Sequence, residues 1–167
     1  PLRFPVGGAD AATCKEVRRL KARMEAERLP RGVDPARHLK LGRGGLSDIE
    51  WTAQLLQLQH GHEVPALRTT STLPALAGAA RAELISPEDY ALLREAWLLA
   101  SRLRNAVVLW TGRIGGSQAD ILPVENRALA GLSRLLSYPP GSGGELHDVY
   151  LRQARRARAV VERVFYG

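Results

Sequence analysis

The amino-acid sequence predicts an all-α protein, an antiparallel bundle of about five to six helices. Apolar residues recur every three or four positions through most of the chain, and no segment shows the alternation typical of a strand. Helix-start and helix-stop signals divide the chain into amphipathic segments with short connections, so each apolar stripe must be covered by another. With 167 residues and 45% hydrophobic content, residues 1–167 are expected to form one helical domain.

The first two predicted helices flank a glycine-rich stretch at residues 40–46. The first helix covers residues 11–29, with an apolar stripe at Val17, Leu20 and Met24, and ends at Pro30-Arg31-Gly32. Ser47-Asp48-Ile49-Glu50 has the pattern of a capping box, in which the Ser hydroxyl accepts from a helical amide and the Glu side chain bonds back. A second helix is therefore expected to begin at Asp48, and Gly61 is expected to end it in a left-handed conformation.

Four more helices are predicted after residue 70. A short one follows Ser71 or Thr72, and the longest starts at Ser86-Pro87-Glu88-Asp89, a capping residue followed by proline and two acids. Its apolar stripe keeps the helical period up to Gly112 through Leu92, Ala96, Leu99, Leu103, Ala106 or Val107, and Trp110. The last two helices cover residues 125–137 and about 144–165, and Tyr138-Pro139-Pro140-Gly141 separates them.

The charge of the chain raises a competing function. Its formal net charge of +7 attracts polyanions, and the last helix carries five arginines that we expect on its solvated surface: Arg152, Arg155, Arg156, Arg158 and Arg163. The alternative function is therefore a basic helical module that binds nucleic acid. Aromatic residues make up only 5% of the chain, however, so few rings are present to stack on bases, and nucleic acid is not the expected partner.

Composition also predicts where the protein works. The single cysteine, Cys14, cannot form an internal disulfide, and no apolar run approaches the roughly 20 residues that span a bilayer. A soluble, cytoplasmic protein without a membrane partner is expected. Pro1-Leu2-Arg3-Phe4-Pro5 contains neither an initiator methionine nor a signal-like apolar core, so the chain is expected to be a piece of a longer protein.

The glycine-rich stretch holds the main candidate site residues: Lys40, Gly42, Arg43, Gly44 and Gly45. Glycines allow close approach of a ligand, and the start of the following helix is expected to present unpaired amides that favour an anion such as a phosphate. The Gly-Lys-Ser/Thr ending of a Walker loop is absent. The alternative is a tight turn that leads into a helix, in which Asp48 and Glu50 only complement the helix dipole. A metal site at His60-Gly61-His62-Glu63 and a nucleophilic Cys14 are not expected.

Residues 40–51 resemble the Lys-x-Gly-x-Gly-Gly-x-x-Asp-Ile-Glu-[Phe/Trp] signature of the helical domain of glutamine synthetase adenylyltransferases, with a looser form in the uridylyltransferases that modify PII proteins. The resemblance continues through residues 67–72, 100–105 and 155–165 and thus covers nearly the whole chain. The Ser-Asp-Ile-Glu form is more similar to the second, C-terminal repeat of that family than to the first.

This resemblance implies an accessory domain that follows a nucleotidyltransferase domain of the polymerase-β type in the same chain. In that family the C-terminal half transfers AMP from ATP to a tyrosine of glutamine synthetase, and the N-terminal half removes it by phosphorolysis, under the influence of glutamine and PII proteins. The implied partners are the upstream nucleotidyltransferase domain, glutamine synthetase and a PII signal protein, and the parent enzyme uses ATP and Mg²⁺.

The resemblance also implies roles for individual residues. Lys40 or Arg43 would lie near the ATP phosphates, and Asp48 or Glu50 near the domain boundary. Nucleotidyl transfer needs a Gly-Ser followed by Asp-x-Asp to hold two metal ions. The string Gly116-Ser117-Gln118-Ala119-Asp120-Ile121-Leu122 has a leucine in place of the second acid, so this chain alone is expected to be inactive and to hold no metal.

Overall fold

The computed structural model describes residues 7–30, 32–112 and 117–167. Within these ranges the chain forms six α-helices, which are α1 (Ala11–Arg28), α2 (Leu46–His60), α3 (Thr72–Arg81), α4 (Pro87–Thr111), α5 (Asn126–Leu135) and α6 (Gly143–Val161). A π-helical turn, Glu162–Tyr166, continues α6. An isolated bridge between His38 and Ile121 is the one strand-like pairing in the described ranges. The predicted all-α class is confirmed.

Capping side chains account for the starts of α1 and α4. The Asp10 carboxylate accepts a hydrogen bond from the Thr13 amide at 2.7 Å. The Ser86 hydroxyl accepts one from the Asp89 amide at 3.0 Å, and Pro87 occupies the first position of α4, where no amide donor is needed. Gly112 ends α4 with a φ of 67°, the left-handed conformation that glycine adopts without strain. The predicted start and end of this longest helix are therefore confirmed.

The predicted capping box at the start of α2 is wrong. This helix begins at Leu46, two residues early, and Gly45 precedes it without a side-chain cap. The amides of Leu46 and Ser47 donate to the carbonyl groups of Leu39 and Lys40, at 3.0 and 2.9 Å, so the preceding loop supplies the acceptors that Ser47 was expected to provide. The predicted left-handed Gly61 is also wrong, because its φ of −63° is right-handed and a further turn follows through Val64.

The buried apolar side chains form two clusters, and α6 runs along both. One cluster joins α2, α3, the first part of α4 and the end of α6, and it includes the fully buried Phe165. The other joins the second part of α4, α5 and the first part of α6, together with Leu39 and Leu122 from the connecting segments. Since α6 contributes to both clusters, it holds the two parts of the bundle together and can carry interactions from one to the other.

Two predicted inner stripes differ from the structure. On α1, Leu20 is exposed, whereas Cys14 and Lys21 are the buried residues. On α4, Trp110 is 44% exposed because it lies in the last turn, where its ring covers Gly131 of α5. A Cβ atom at Gly131 would lie 2.3 Å from that ring. Within the described ranges, no helix has both the length and the apolar content to cross a membrane.

Candidate functional site

The glycine-rich loop, residues 40–45, packs against the rest of the domain through its three glycines. Gly44 has a φ of +73°, and a Cβ atom there would lie 1.9 Å from the carbonyl oxygen of Ala154 in α6. At Gly42 a Cβ atom would lie 2.3 Å from the Pro35 carbonyl oxygen, and at Gly45 it would lie 2.7 Å from that of Leu39. Backbone contacts inside the chain therefore require glycine at all three positions.

The loop amides are already used inside the chain. Those of Gly42 and Gly45 donate to the carbonyl oxygens of His38 and Gly42 at 2.8 and 2.9 Å, and the Leu46 and Ser47 amides donate to the loop as described above. The Gly44 amide donates to Asp48 Oδ2 at 2.7 Å. The expectation of unpaired amides ready for a phosphate is therefore wrong for these five groups. The side chains of Lys40 and Arg43 are the charged groups of the loop that could bind an anion.

Asp48 lies in a buried cluster of charged side chains, which we call the Asp48 cluster and define as Lys21, Glu25, Asp48, Arg158 and Tyr166. The side chain of Asp48 is 1% exposed and forms ion pairs with Lys21 Nζ at 2.5 Å and Arg158 Nη1 at 2.9 Å. Both cations also bind Glu25, with Arg158 Nη1 at 3.1 Å, and Arg158 forms a further ion pair with the exposed Glu162 at 2.5 Å. The cluster joins α1, α2 and α6 around the carboxylate that binds the loop.

Electrostatics within the Asp48 cluster favour the charged form of Glu25. Burial raises the pKa of Glu25, but its hydrogen bond with Lys21 and the charges of Lys21 and Arg158 outweigh burial and hold the pKa below its ordinary value. Burial lowers the pKa of Arg158, and Asp48 and Glu25 more than reverse this effect. The Tyr166 hydroxyl donates to Glu25 Oε1 at 3.2 Å, and burial together with Glu25 raises the pKa of Tyr166 to about 12.

Glu50 lies on a different side of α2 from Asp48. Its side chain is half-buried, and within the described residues it forms no hydrogen bond or ion pair. Burial raises the pKa of Glu50, and the charges of Lys40 and Arg104 offset this only in part. Arg104 itself pairs with Asp120. Glu50 is therefore a carboxylate with acceptor capacity to spare beside the half-buried Lys40, an arrangement that suits a polar contact with another group.

A groove of about 810 Å³ lies on the other side of the loop, between α1 and α6. We call it the α1–α6 groove. Its lining consists of Ala22, Glu25, Ala26, Leu29, Asp34, Pro35, Ala36, Leu41, Arg43, Leu151, Ala154, Arg155 and Arg158. The exposed Arg43 of the loop thus borders a mostly apolar floor, and Glu25 and Arg158 connect this floor with the Asp48 cluster.

The other sequence candidates have structural roles or no close partners. Asp120 pairs with Arg104 and Leu122 is fully buried, while Gly115 and Gly116 lie outside the described residues. The His62 and Glu63 side chains approach each other to 3.1 Å. Within the described ranges, no three His, Cys, Asp or Glu side chains come close enough to hold a metal ion.

Sequence reasoning missed Lys21, Glu25 and Arg158 as members of the site, and it placed Arg158 on the solvated surface. A signal was present on α1, because Lys21 follows the buried Cys14 by seven residues and so lies on the same inward face. Arg158 follows Ala154 by four residues on α6, again on the inward face. A lysine or arginine on the same helix face as buried residues indicates a buried acidic side chain on the helix that packs against that face.

Comparisons with known proteins add independent findings. The family model described as GlnD PII-uridylyltransferase matches residues 15–166. A bifunctional glutamine synthetase adenylyltransferase/adenylyl-removing enzyme of Streptomyces avermitilis is 59% identical over 167 residues, which are 100% of this chain and 16% of that enzyme. The enzyme of the same name from Mycobacterium leprae is 52% identical over 164 residues, with 98% of this chain and 16% of that enzyme covered. The chain thus spans only 16% of the length of these relatives.

Proposed function

Because the chain belongs to the GlnD PII-uridylyltransferase family, we propose that it is the helical accessory domain of a glutamine synthetase adenylyltransferase. The similarity of the whole chain to such enzymes carries this proposal. The parent enzyme transfers AMP from ATP to a tyrosine of glutamine synthetase in the cytoplasm, with a PII signal protein as a further partner in the control of nitrogen assimilation. A nucleotidyltransferase domain upstream in the same chain supplies the catalytic carboxylates.

The donor groups of this chain fit phosphate better than Mg²⁺. Divalent magnesium takes carboxylate and water oxygens in octahedral geometry. Asp48 is already occupied by two cations and an amide, and Asp120 by Arg104. Glu50 has spare acceptor capacity, but within the described residues no three His, Cys, Asp or Glu side chains lie together. Lys40 and Arg43, in contrast, are a half-buried and an exposed cation of the loop, and neither side chain has a hydrogen-bond or ion-pair partner within the described residues. The parent enzyme therefore holds Mg²⁺ on its other domain, and this chain contributes positive charge toward ATP.

In this proposal the glycine-rich loop faces the cleft of the nucleotidyltransferase domain. Gly42, Gly44 and Gly45 shape the loop, and Asp48 holds it through the Gly44 amide. Lys40 and Arg43 project charge toward the ATP phosphates or the domain boundary, where Glu50 offers its free acceptor capacity. A loop that is held by internal hydrogen bonds orients such side chains without reorganisation when the substrate binds.

Substitutions in the parent enzyme test this proposal. Lys40→Ala, Arg43→Ala and Glu50→Ala are each expected to lower kcat/KM for AMP transfer by about tenfold or more, because each removes a positioned charged group. A rise of KM for ATP indicates phosphate binding, whereas a fall of kcat at constant KM indicates a role in the domain boundary. Arg134→Ala is the matched control, since Arg134 is an exposed arginine of α5 and not a residue of the loop. Unchanged rates in all three loop variants would overturn the assignment.

A further inference from the structure

The α1–α6 groove has an apolar floor that α1 and α6 leave uncovered. Ala22 and Ala26 lie one turn apart on α1 and are both exposed, and Leu29, Leu41 and Leu151 are only half-buried. Apolar area of this kind is in contact with water, which is unfavourable. Its burial under a partner would be favourable. Small side chains on facing helices also leave room for a third helix to approach within the roughly 8–10 Å of ordinary helix packing.

Two cations border this groove without partners. Arg43 from the loop and Arg155 from α6 are exposed, and neither side chain forms a hydrogen bond or an ion pair with any residue of the described part of the chain. Among the acids of the groove, Glu25 pairs with Lys21 and Arg158, whereas the exposed Asp34 accepts only from the Ala36 amide at 2.9 Å and keeps its negative charge. Two arginines without partners against one acid without a cation leave the groove with an excess of positive charge.

We propose that the α1–α6 groove binds an acidic amphipathic helix from another domain of the same polypeptide. The apolar face of such a helix covers Ala26 and Leu151, and its carboxylates pair with Arg155, as in helix-in-groove recognition. This inference rests on the proposed function, which makes the chain one domain of a longer enzyme. The source is the same polypeptide because the relatives are far longer than this chain, which covers 16% of their length.

Photo-crosslinking in the full-length enzyme tests the occupant directly. The variant Ala22→p-benzoylphenylalanine places the reactive ketone at the groove, on an exposed position of α1. We expect an intramolecular crosslink, independent of enzyme concentration, that peptide mass spectrometry maps to a segment with acids and helically spaced apolar residues. Adding Arg155→Glu is expected to lower the yield at least about tenfold, because like charges then oppose each other across the interface.

A charge reversal at the next residue of α6, which does not line the groove, is the matched control. Arg156→Glu changes the same net charge at an exposed residue that does not line the groove, and it should leave the crosslink yield unchanged. Crosslinks to glutamine synthetase or to a PII protein, no crosslink at all, or a yield insensitive to Arg155→Glu would each overturn the inference. The AMP-transfer assay of the loop variants is read separately, so failure of the proposed function is distinguished from failure of this inference.

Discussion

Asp48→Asn is expected to destabilise the 167-residue chain by about 3 kcal/mol. Asparagine keeps the size of the side chain and an oxygen for the Gly44 amide, so the substitution removes mainly the negative charge. Removal of one member of a buried ion pair costs about 3–5 kcal/mol, since it leaves an uncompensated charge in the interior. Lys21 and Arg158 both keep their contacts with Glu25, and the lower end of that range therefore applies.

Thermal unfolding followed by circular dichroism at pH 7 measures this effect. For a domain of this size about 3 kcal/mol corresponds to a fall in Tm of roughly 6–12 °C. Asp148→Asn is the control, because the side chain of Asp148 is 77% exposed on α6, and its effect should stay within about 0.5 kcal/mol. A loss below about 1 kcal/mol for Asp48→Asn would refute the reasoning that the charge of Asp48 stabilises the buried cluster.

Three further predictions follow from the same structure. Gly44→Ala should cost at least about 3 kcal/mol by thermal unfolding, because φ is +73° and its Cβ atom would lie 1.9 Å from the Ala154 carbonyl oxygen. Gly144→Ala is the control, because Gly144 lies in α6 with open space around it, and this substitution should be neutral or stabilising. An equal loss of stability in Gly44→Ala and Gly144→Ala would contradict the packing argument. Burial raises the pKa of Glu50 above its ordinary value of 4.5. The protonated side chain therefore contributes its full stabilisation below pH 4.5, and this contribution is lost as the pH rises through the higher folded-state pKa. Glu50→Gln should therefore be more stable than the wild type at pH 7 and equal to it in acid, and a gain that does not depend on pH would exclude this cause. Glu25 has the opposite sign, because the two cations that it contacts hold its pKa below 4.5. Glu25→Gln should be less stable than the wild type at pH 7, and the difference in the free energy of unfolding should shrink as the pH falls through the folded-state pKa. Urea titrations across this pH range measure the difference. A difference that does not change with pH would contradict the reasoning.

The existence of the helices was predictable because the signals that start and end a helix lie in short segments of the chain. The cap at Ser86, the proline after it and the helix end at Gly112 each depend on a few neighbouring residues, and the structure has all three as predicted. The prediction of a helix cap was wrong where a neighbouring segment supplied the hydrogen-bond acceptors that the local sequence was expected to supply. Ser47 does not cap α2, since carbonyl groups of the preceding loop already accept its first amides.

The candidate site was predictable as a segment but not as a set of contacts. The glycine pattern and its resemblance to a known signature identified residues 40–51 as the distinctive part of the chain. The purpose of the glycines depends on α6, because it is the Ala154 carbonyl group that leaves no room for a side chain at Gly44. That contact joins residues more than 100 positions apart, and no local pattern encodes it.

The sequence by itself determined the helical class, the order of the six helices and the family of the chain, since periodicity, caps and signature residues are properties of short segments. Only the tertiary structure decided which charges are buried. Lys21, Asp48 and Arg158 come from three different helices, and an ion is stable in the interior only where folding brings its counter-ions within hydrogen-bond distance. In the same packing the loop amides form hydrogen bonds inside the chain. The side chains of Arg43 and Arg155 remain without partners among the described residues at the groove.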